Sequence, residues 1–206
     1  MRCDARILQL FFPSVLLGTT AAGIHLTFDD GPHPTATPAI LNILRERDIR
    51  ATFFLLGQNV QQYPDIARQI ATEGHDIGNH SYSHTNLFFK DEAFIRKEII
   101  QTEEILESNV GKRTRYFRPP YGYFNMTILN VLKEIGSTCV LWGIDSKDYK
   151  LNNKFEIERR VLPYTSNGSV LLFHDNKDTA QKLHTYLPNL LDTLLEKKFV
   201  FKLLRS

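Results

Sequence analysis

Short strand-like runs, most of them apolar, alternate with helix-like stretches along this chain. Seven runs have the length and residue types of β-strands, and they cover residues 24–28, 51–56, 76–79, 115–118, 138–144, 169–173 and 199–203. Between them, apolar residues recur at helical spacing, for example over 37–47, 91–108 and 179–197. A strand followed by a helix, repeated in this way, predicts a parallel sheet and favours its closure into a barrel.

The composition agrees with one compact α/β domain. The chain has 206 residues, 42% of them hydrophobic, so it can bury a substantial core without a second domain. Its formal net charge is +2, with acidic and basic residues interspersed. Because no basic cluster stands out, we expect no nucleic-acid partner. A neutral polymer suits this surface, and we expect a monomer.

The first 22 residues have the pattern of a processing signal. Arg2 and Arg6 lie at a basic start, an apolar stretch at 7–18 is too short to span a bilayer, and small residues follow at 19–23. We interpret residues 1–22 as a signal peptide or signal anchor and 23–206 as the working domain. This predicts secretion or a cell-wall location, without a stable membrane span. The alternative is that residues 1–22 remain attached as an ordered element.

Two polar strings carry the first candidate chemistry. In T-F-D-D-G-P at 27–32, Asp29 and Asp30 lie where a strand gives way to a loop, and neighbouring strand side chains point to opposite sides. In H-S-Y-S-H at 80–84, His80 and His84 are four residues apart, which on a helical turn puts both rings on one face. Either string alone is more often a turn or a solvated histidine pair. Together they predict an open metal site with a spare carboxylate, which is typical of metal-assisted hydrolysis.

Three further strings follow, namely R-P-P-Y-G at 118–122, D-S-K-D-Y at 145–149 and V-L-L-F-H-D at 170–175. With the first two, and in this order, they resemble the five motifs of the polysaccharide deacetylase family, carbohydrate esterase family four. Its members include chitin and peptidoglycan deacetylases and acetylxylan esterases. The resemblance runs from Gly23 to Leu204, and it implies a distorted, TIM-like (β/α) barrel of seven or eight parallel strands in a single domain.

The resemblance implies a role for each motif residue. Asp29 is expected to be the general base, oriented by Arg118, and His174 the general acid, paired with Asp148. A divalent metal, zinc or cobalt, is expected to be held by Asp30, His80 and His84. The backbone N–H of Tyr121 is expected to bind the oxyanion. The substrate is expected to contact four residues, Pro120, Tyr121, Tyr149 and Leu172.

One residue departs from the family pattern. The family usually has tryptophan where this chain has Tyr149, whose smaller ring and hydroxyl would reshape one wall of the acetyl pocket. Trp142 and His25 match no motif, and we expect both to pack in the interior. The departure at Tyr149 motivates an alternative of another class, a catalytically silent protein that binds chitin or the cell wall.

The expected function is metal-dependent hydrolysis of N-acetyl groups from N-acetylglucosamine residues of a polysaccharide, with release of acetate. We favour chitin as the substrate, because no lactyl-binding or peptide-binding pattern is evident, and peptidoglycan is the alternative polymer. An O-acetyl esterase acting on acetylxylan is the competing hypothesis among enzymes.

Overall fold

A single sheet of parallel strands forms the centre of the molecule. The computed structural model of the protein describes residues 12–20, 22–111 and 113–204. Within these ranges the sheet has eight strands, in the order β1-β6-β5-β4-β3-β2-β8-β7. Their bounds are β1 Val15–Leu16, β2 His25–Asp29, β3 Thr52–Leu55, β4 Asp76–Asn79, β5 Tyr116–Phe117, β6 Thr138–Val140, β7 Ile144–Asp145 and β8 Val170–His174.

The two ends of this sheet lie close together. Strands β6 and β7 are near opposite ends of the strand order, yet only residues 141–143 connect them. Leu141 N–H donates to the backbone oxygen of Leu16 in β1, at 2.8 Å, and Gly143 N–H to that of Val170 in β8, at 3.1 Å. The sheet therefore curls into a distorted (β/α) barrel, which confirms the predicted fold class.

Helices cover the outside of the barrel, as the helical spacing of apolar residues predicts. They are α1 Ala36–Arg45, α2 Gly57–Gln62, α3 Pro64–Thr72, α4 Glu92–Val110, α5 Met126–Glu134, α6 Lys154–Val161 and α7 Leu183–Glu196. Short 3-10 helices lie at Leu87–Phe89, Pro120–Gly122 and Leu162–Tyr164. Among the described residues, no helix combines the length and the apolar character needed to cross a bilayer.

The largest core cluster lies between the sheet and the helices α1, α3 and α7. Its central rings are Phe28 and Phe53, stacked with centroids 5.1 Å apart, and Phe173 at 6.0 Å from Phe28. A second cluster packs around β1, β5 and β6 against α4 and α5. Both clusters hold the strands in place, so that their carboxyl ends form a fixed rim.

The structure corrects two of the predicted strands. The run at 138–144 is divided into β6 and β7, because the chain leaves one end of the sheet there and rejoins it at the other. The run at 199–203 is not a strand, since only Phe201 forms an isolated bridge, with Ile24. Its neighbours Lys202 and Leu203 instead offer their backbone oxygens to the buried ring of His25.

One strand lies in the segment interpreted as a leader. Val15 and Leu16 pair with Cys139 and Val140 in parallel register, and Val15 is fully buried. Residues 1–11 and Ala21 lie outside the described residues, and the boundary at residues 22 and 23 stays a prediction.

Candidate active site

The five polar strings meet at the carboxyl ends of the strands. There they border an open cleft of about 1020 Å³, as expected for the ligand site of a parallel barrel. The residues of these strings that line the cleft are Asp29, Asp30, Pro32, His80, His84, Tyr121, Asp145, Lys147, Tyr149, Leu172 and His174. The sequence separates them by up to 145 residues, and the strand order brings them together.

Asp30, His80 and His84 form a cluster of three potential metal ligands. Their ligand atoms lie within 4.8 Å of one another. Oδ1 of Asp30 is 3.5 Å from Nε2 of His80 and 3.2 Å from Nε2 of His84, and it is buried without a hydrogen-bond partner among the described residues. Nδ1 of His80 donates to the backbone oxygen of Arg118 at 2.7 Å, which leaves the Nε2 lone pair free. An unpartnered buried carboxylate oxygen facing two imidazole nitrogens fits a divalent cation such as zinc.

Charge states in this cluster suit metal binding. Burial raises the pKa of Asp30, but the neighbouring histidines, His80 foremost, together more than offset this, so that the pKa lies well below its usual value. Burial, and after it the nearby His80, lowers the pKa of His84. Asp30 is therefore a carboxylate and His84 a neutral imidazole at neutral pH, the forms in which these side chains bind metals.

The two histidines are not on a helical turn, and that part of the prediction is wrong. They lie in the loop after β4, where His84 has a φ of 58°, and their ring centroids are 5.1 Å apart. The buried Glu98 of α4 shapes this loop, because its Oε2 accepts hydrogen bonds from the backbone N–H groups of Tyr82 at 3.1 Å and Ser83 at 2.9 Å. The spacing found the pair, but a helix in another part of the chain determines its geometry.

Arg118 holds Asp29 at the end of β2. Its Nη1 donates to Oδ1 of Asp29 at 2.6 Å and to the hydroxyl of Thr27 at 2.8 Å. The other nitrogens donate to two backbone oxygens, those of Val140 and Leu141. Burial lowers the pKa of the Arg118 guanidinium, while Asp29 opposes this effect. The other carboxylate oxygen of Asp29 lies 3.7 Å from Nε2 of His80, so it faces the three potential metal ligands.

A small residue makes room for this arginine. The guanidinium carbon of Arg118 lies 4.0 Å from the centroid of the Phe54 ring, which supports the charged group from below. A Cβ atom on Gly78 would lie 2.5 Å from that ring. Glycine at this position in β4 therefore allows the ring, and with it the arginine, to occupy the barrel interior.

His174 ends β8 beside Asp29, with which it is in register. Its Nδ1 donates to Oδ1 of Asp148 at 2.8 Å. Oδ2 of Asp148 accepts two more hydrogen bonds, from the backbone N–H of His174 at 2.9 Å and from the hydroxyl of Tyr186 at 3.0 Å. Burial lowers the pKa of His174, but Asp148 raises it more, to about 9. The ring is therefore an imidazolium at neutral pH, with a proton to donate.

The expected substrate-contact residues occupy different positions. Leu172 and Tyr149 line the cleft, and the Tyr149 ring packs edge-on against His174 with centroids 4.7 Å apart. Tyr121 also lines it, in a left-handed backbone conformation with a φ of 60° and its ring 4.7 Å from that of His84. Pro120 is buried and is not among the residues that line the cleft. It can therefore affect the substrate only by positioning the loop that carries Tyr121.

Comparison with known proteins agrees with this arrangement. A sequence model of the family described as "Polysaccharide deacetylase" matches residues 18–140, which is more than half of the chain. The chain belongs to the polysaccharide deacetylase family. The matched segment contains the strings around Asp29, His80 and Arg118, while Asp148 and His174 lie beyond it.

Relatives within the family cover more of the chain. It is 39% identical over 155 residues to a chitooligosaccharide deacetylase of Azorhizobium caulinodans, a match that spans 75% of this chain and 74% of the relative. It is 44% identical over 153 residues to a peptidoglycan-N-acetylglucosamine deacetylase of Bacillus cereus, spanning 74% of this chain but only 56% of that protein.

The fold is similar to a crystal structure of a peptidoglycan N-acetylglucosamine deacetylase. The TM-score is 0.89 at 37% identity, and the match covers 93% of this chain and 91% of the other. The distorted barrel is therefore the family fold.

Sequence reasoning missed several residues of this deacetylase-family site. Asn176 donates from Nδ2 to Oδ2 of Asp30 at 2.7 Å, Asn59 donates to the backbone oxygen of Asp30 at 2.7 Å, and Tyr186 supports Asp148. Asn176 lies two residues after His174, and this proximity is the one feature of the sequence that could have identified it as a site residue. Trp142, expected in the interior, is half-buried and lines the cleft.

Proposed function

We propose that this protein is a metal-dependent N-deacetylase that releases acetate from N-acetylglucosamine units of a polysaccharide. One observation carries the proposal. A single cleft contains a carboxylate held by a buried arginine, three donors that fit a divalent cation, and a protonated imidazole. In metal-assisted amide hydrolysis these three components can activate water, stabilise the developing negative charge and protonate the leaving amine.

Zinc or cobalt held by Asp30, His80 and His84 would supply Lewis-acid activation of water and of the amide carbonyl. The carboxylate of Asp29 accepts the proton of the attacking water, and Arg118 keeps this carboxylate in a fixed orientation. The imidazolium of His174 donates the proton that the leaving amine needs. Asp148 keeps that proton on the ring, because it stabilises the charged form.

Two further groups are proposed to act on the acetyl group itself. The backbone N–H of Tyr121 stabilises the negative charge that develops on the carbonyl oxygen, an effect of about 3 kcal/mol for such donors. Leu172, which is almost fully buried and lines the cleft, provides an apolar contact for the acetyl methyl group. Tyr149 forms the wall against His174.

The substrate class is proposed from the relatives and from the surface. The two relatives are named for chitooligosaccharide and for peptidoglycan N-acetylglucosamine. We favour a chitin-type glycan, with peptidoglycan as the alternative, and we expect the protein to act outside the cell or at the cell wall, where such polymers are found. Acetylxylan is the O-acetyl substrate to compare.

The test is acetate release by the full chain from N-acetylglucosamine oligomers, with added zinc or cobalt and with a chelator. Metal-dependent release that Asp29→Asn lowers by about 100-fold or more supports the proposal. The matched control is Asp48→Asn, at an exposed aspartate outside the cleft, which should leave the rate unchanged. Binding to the polymer without acetate release would instead support a silent binding protein, and release only from acetylxylan would support an esterase.

A further inference from the structure

Three exposed aromatic rings form a continuous surface beside the cleft. Phe88 is 41% exposed, Phe89 83% and Tyr123 57%. The Phe88 ring centroid lies 4.9 Å from that of Phe89 and 6.4 Å from that of Tyr123, both in edge-on arrangements. We call these three residues the aromatic shelf. Large apolar side chains grouped on a surface typically mark an interaction site.

The shelf is an extension of the active site. Tyr123 lines the cleft, and it follows Tyr121 in the same loop. Phe88 and Phe89 belong to the 3-10 helix that follows the loop of His80 and His84. Neither phenylalanine lines the cleft itself, so the shelf extends beyond the space occupied by the reacting group.

Hydrogen bonds hold the shelf in place. The side chain of Asn86 accepts a hydrogen bond from the backbone N–H of Phe88 at 3.0 Å. Nδ2 of Asn125 donates to the backbone oxygen of Phe88 at 2.9 Å, and Oδ1 of the same residue accepts from Ile128 N–H and caps α5. The two loops of the shelf are therefore tied together, and the rings are exposed without a loss of backbone order.

We propose that the aromatic shelf binds the sugar rings of a glycan strand next to the unit that reacts. This rests on the proposed function and adds that the substrate is a polymer gripped over several units. A pyranose ring has apolar C–H faces and hydroxyls at its edge, so it can stack on an aromatic ring while its hydroxyls stay in water. None of the three side chains is charged, which suits a neutral sugar. A glycan chain that leaves the cleft beside Tyr123 would next contact Phe88.

The test compares Phe88→Ala/Phe89→Ala with wild-type protein on N-acetylglucosamine dimer and hexamer. We expect the double variant to lower kcat/KM for the hexamer about tenfold, with kcat/KM for the dimer unchanged. Phe155→Ala is the matched control, because Phe155 is 61% exposed on α6 and is not among the residues that line the cleft. It should leave both substrates unaffected. Phe89→Ser, at the most exposed ring, gives a second variant with little effect on folding.

Several results would contradict the proposal that the aromatic shelf binds sugar rings. An equal loss on dimer and hexamer, or an unchanged preference for the hexamer, shows that the rings do not bind sugar. If wild-type protein co-sediments with phosphatidylcholine vesicles and the double variant does not, the surface binds a membrane instead. If wild-type protein is a dimer in solution and the double variant is a monomer, the surface binds a second copy of the chain. If wild-type protein releases no acetate, the proposed function fails, and calorimetric binding of the hexamer to wild type and double variant still tests the shelf.

Discussion

At the residue scale, Arg118 connects more parts of the site than any other side chain described above. It is fully buried and donates to Asp29, to Thr27 and to the backbone oxygens of the last residue of β6 and of the residue after it. A guanidinium supplies these donors in a rigid plane, whereas an ammonium group cannot reach them all.

Arg118→Lys should therefore impair both activity and stability. We expect a loss of about 3 kcal/mol in the free energy of unfolding, as for a broken buried ion pair, and a fall in kcat/KM of about 100-fold. Urea denaturation and acetate-release kinetics measure the two effects. Arg113→Lys is the control, since Arg113 is an exposed partner of Glu107, and it should change neither. Equal behaviour of the two variants would show that the buried arginine has no special role.

The pH dependence of activity should report His174. Asp148 raises the pKa of this ring to about 9, against the opposing effect of burial, so the proton needed by the leaving amine is present up to that pH. Asp148→Asn removes the charge and leaves burial, so the alkaline limb of the kcat/KM profile should move down toward neutral pH. Asp48→Asn should not move the limb. If the alkaline limb of the Asp148→Asn profile stays where it is in the wild type, a group other than His174 is responsible for that limb.

The same pair contributes to stability with a defined sign. Because the pKa of His174 is raised in the folded state, its contribution is fully present below about pH 6.5, the ordinary histidine value, and is lost as the pH rises through about 9. The difference in unfolding free energy between wild type and Asp148→Asn should therefore shrink over this interval.

At the element scale, helix α4 determines the geometry of the loop that carries the candidate metal ligands His80 and His84. Glu98 on this helix accepts hydrogen bonds from the loop backbone and from the hydroxyl of Ser83, and among the described residues none of its hydrogen bonds goes to a candidate metal ligand. Glu98→Gln replaces one acceptor oxygen by a donor and disturbs the loop without removing a ligand.

Glu98→Gln should lower zinc affinity by about 10 to 100-fold, the usual cost of losing support behind a metal ligand. Competition with a chromophoric chelator measures this affinity. Glu104→Gln, on an exposed position of the same helix, should bind zinc as the wild type does. Equal affinities in both variants would mean that the loop holds its own shape.

At the scale of the whole molecule, the short strand β1 fills an edge position of the curled sheet. Val15 is fully buried and Leu17 nearly so, in a cluster with Phe117 and Cys139. Protein that begins at residue 23 lacks these contacts. We expect it to lose about 3 kcal/mol or more of stability and to melt about 6 to 12 °C lower than the full chain.

Calorimetry of the two proteins tests this prediction. Within the full chain, Val15→Ala should destabilise by about 2 kcal/mol, whereas Val200→Ala, at a position 59% exposed, should have little effect. Identical melting of the long and short proteins would show that β1 contributes nothing to the fold.

The predicted strands that lie in the sheet interior agree with the structure to within a residue or two, for example 76–79 with β4 and 51–56 with β3. Every residue of these two strands is buried, and the apolar run at 51–56 is of the kind that indicates a strand buried on both faces. The predictions failed at the edges. The run at 138–144 crosses from one end of the sheet to the other, and 199–203 offers its carbonyl oxygens to His25, so pairing rather than propensity decided both segments.

The sequence by itself determined the alternation of strand and helix, the chemical groups at the strand ends and the likeness to the deacetylase family. These are local properties, because period, turn residues and motif spacing lie within a few neighbouring positions. Only the tertiary structure decided how Glu98 bends the loop of His80 and His84, how Asn176 and Tyr186 support Asp30 and Asp148, and how Trp142 reaches the cleft. Those contacts join residues far apart in the chain, and they exist only because the strand order and the curl of the sheet bring the carboxyl ends of the strands to one rim.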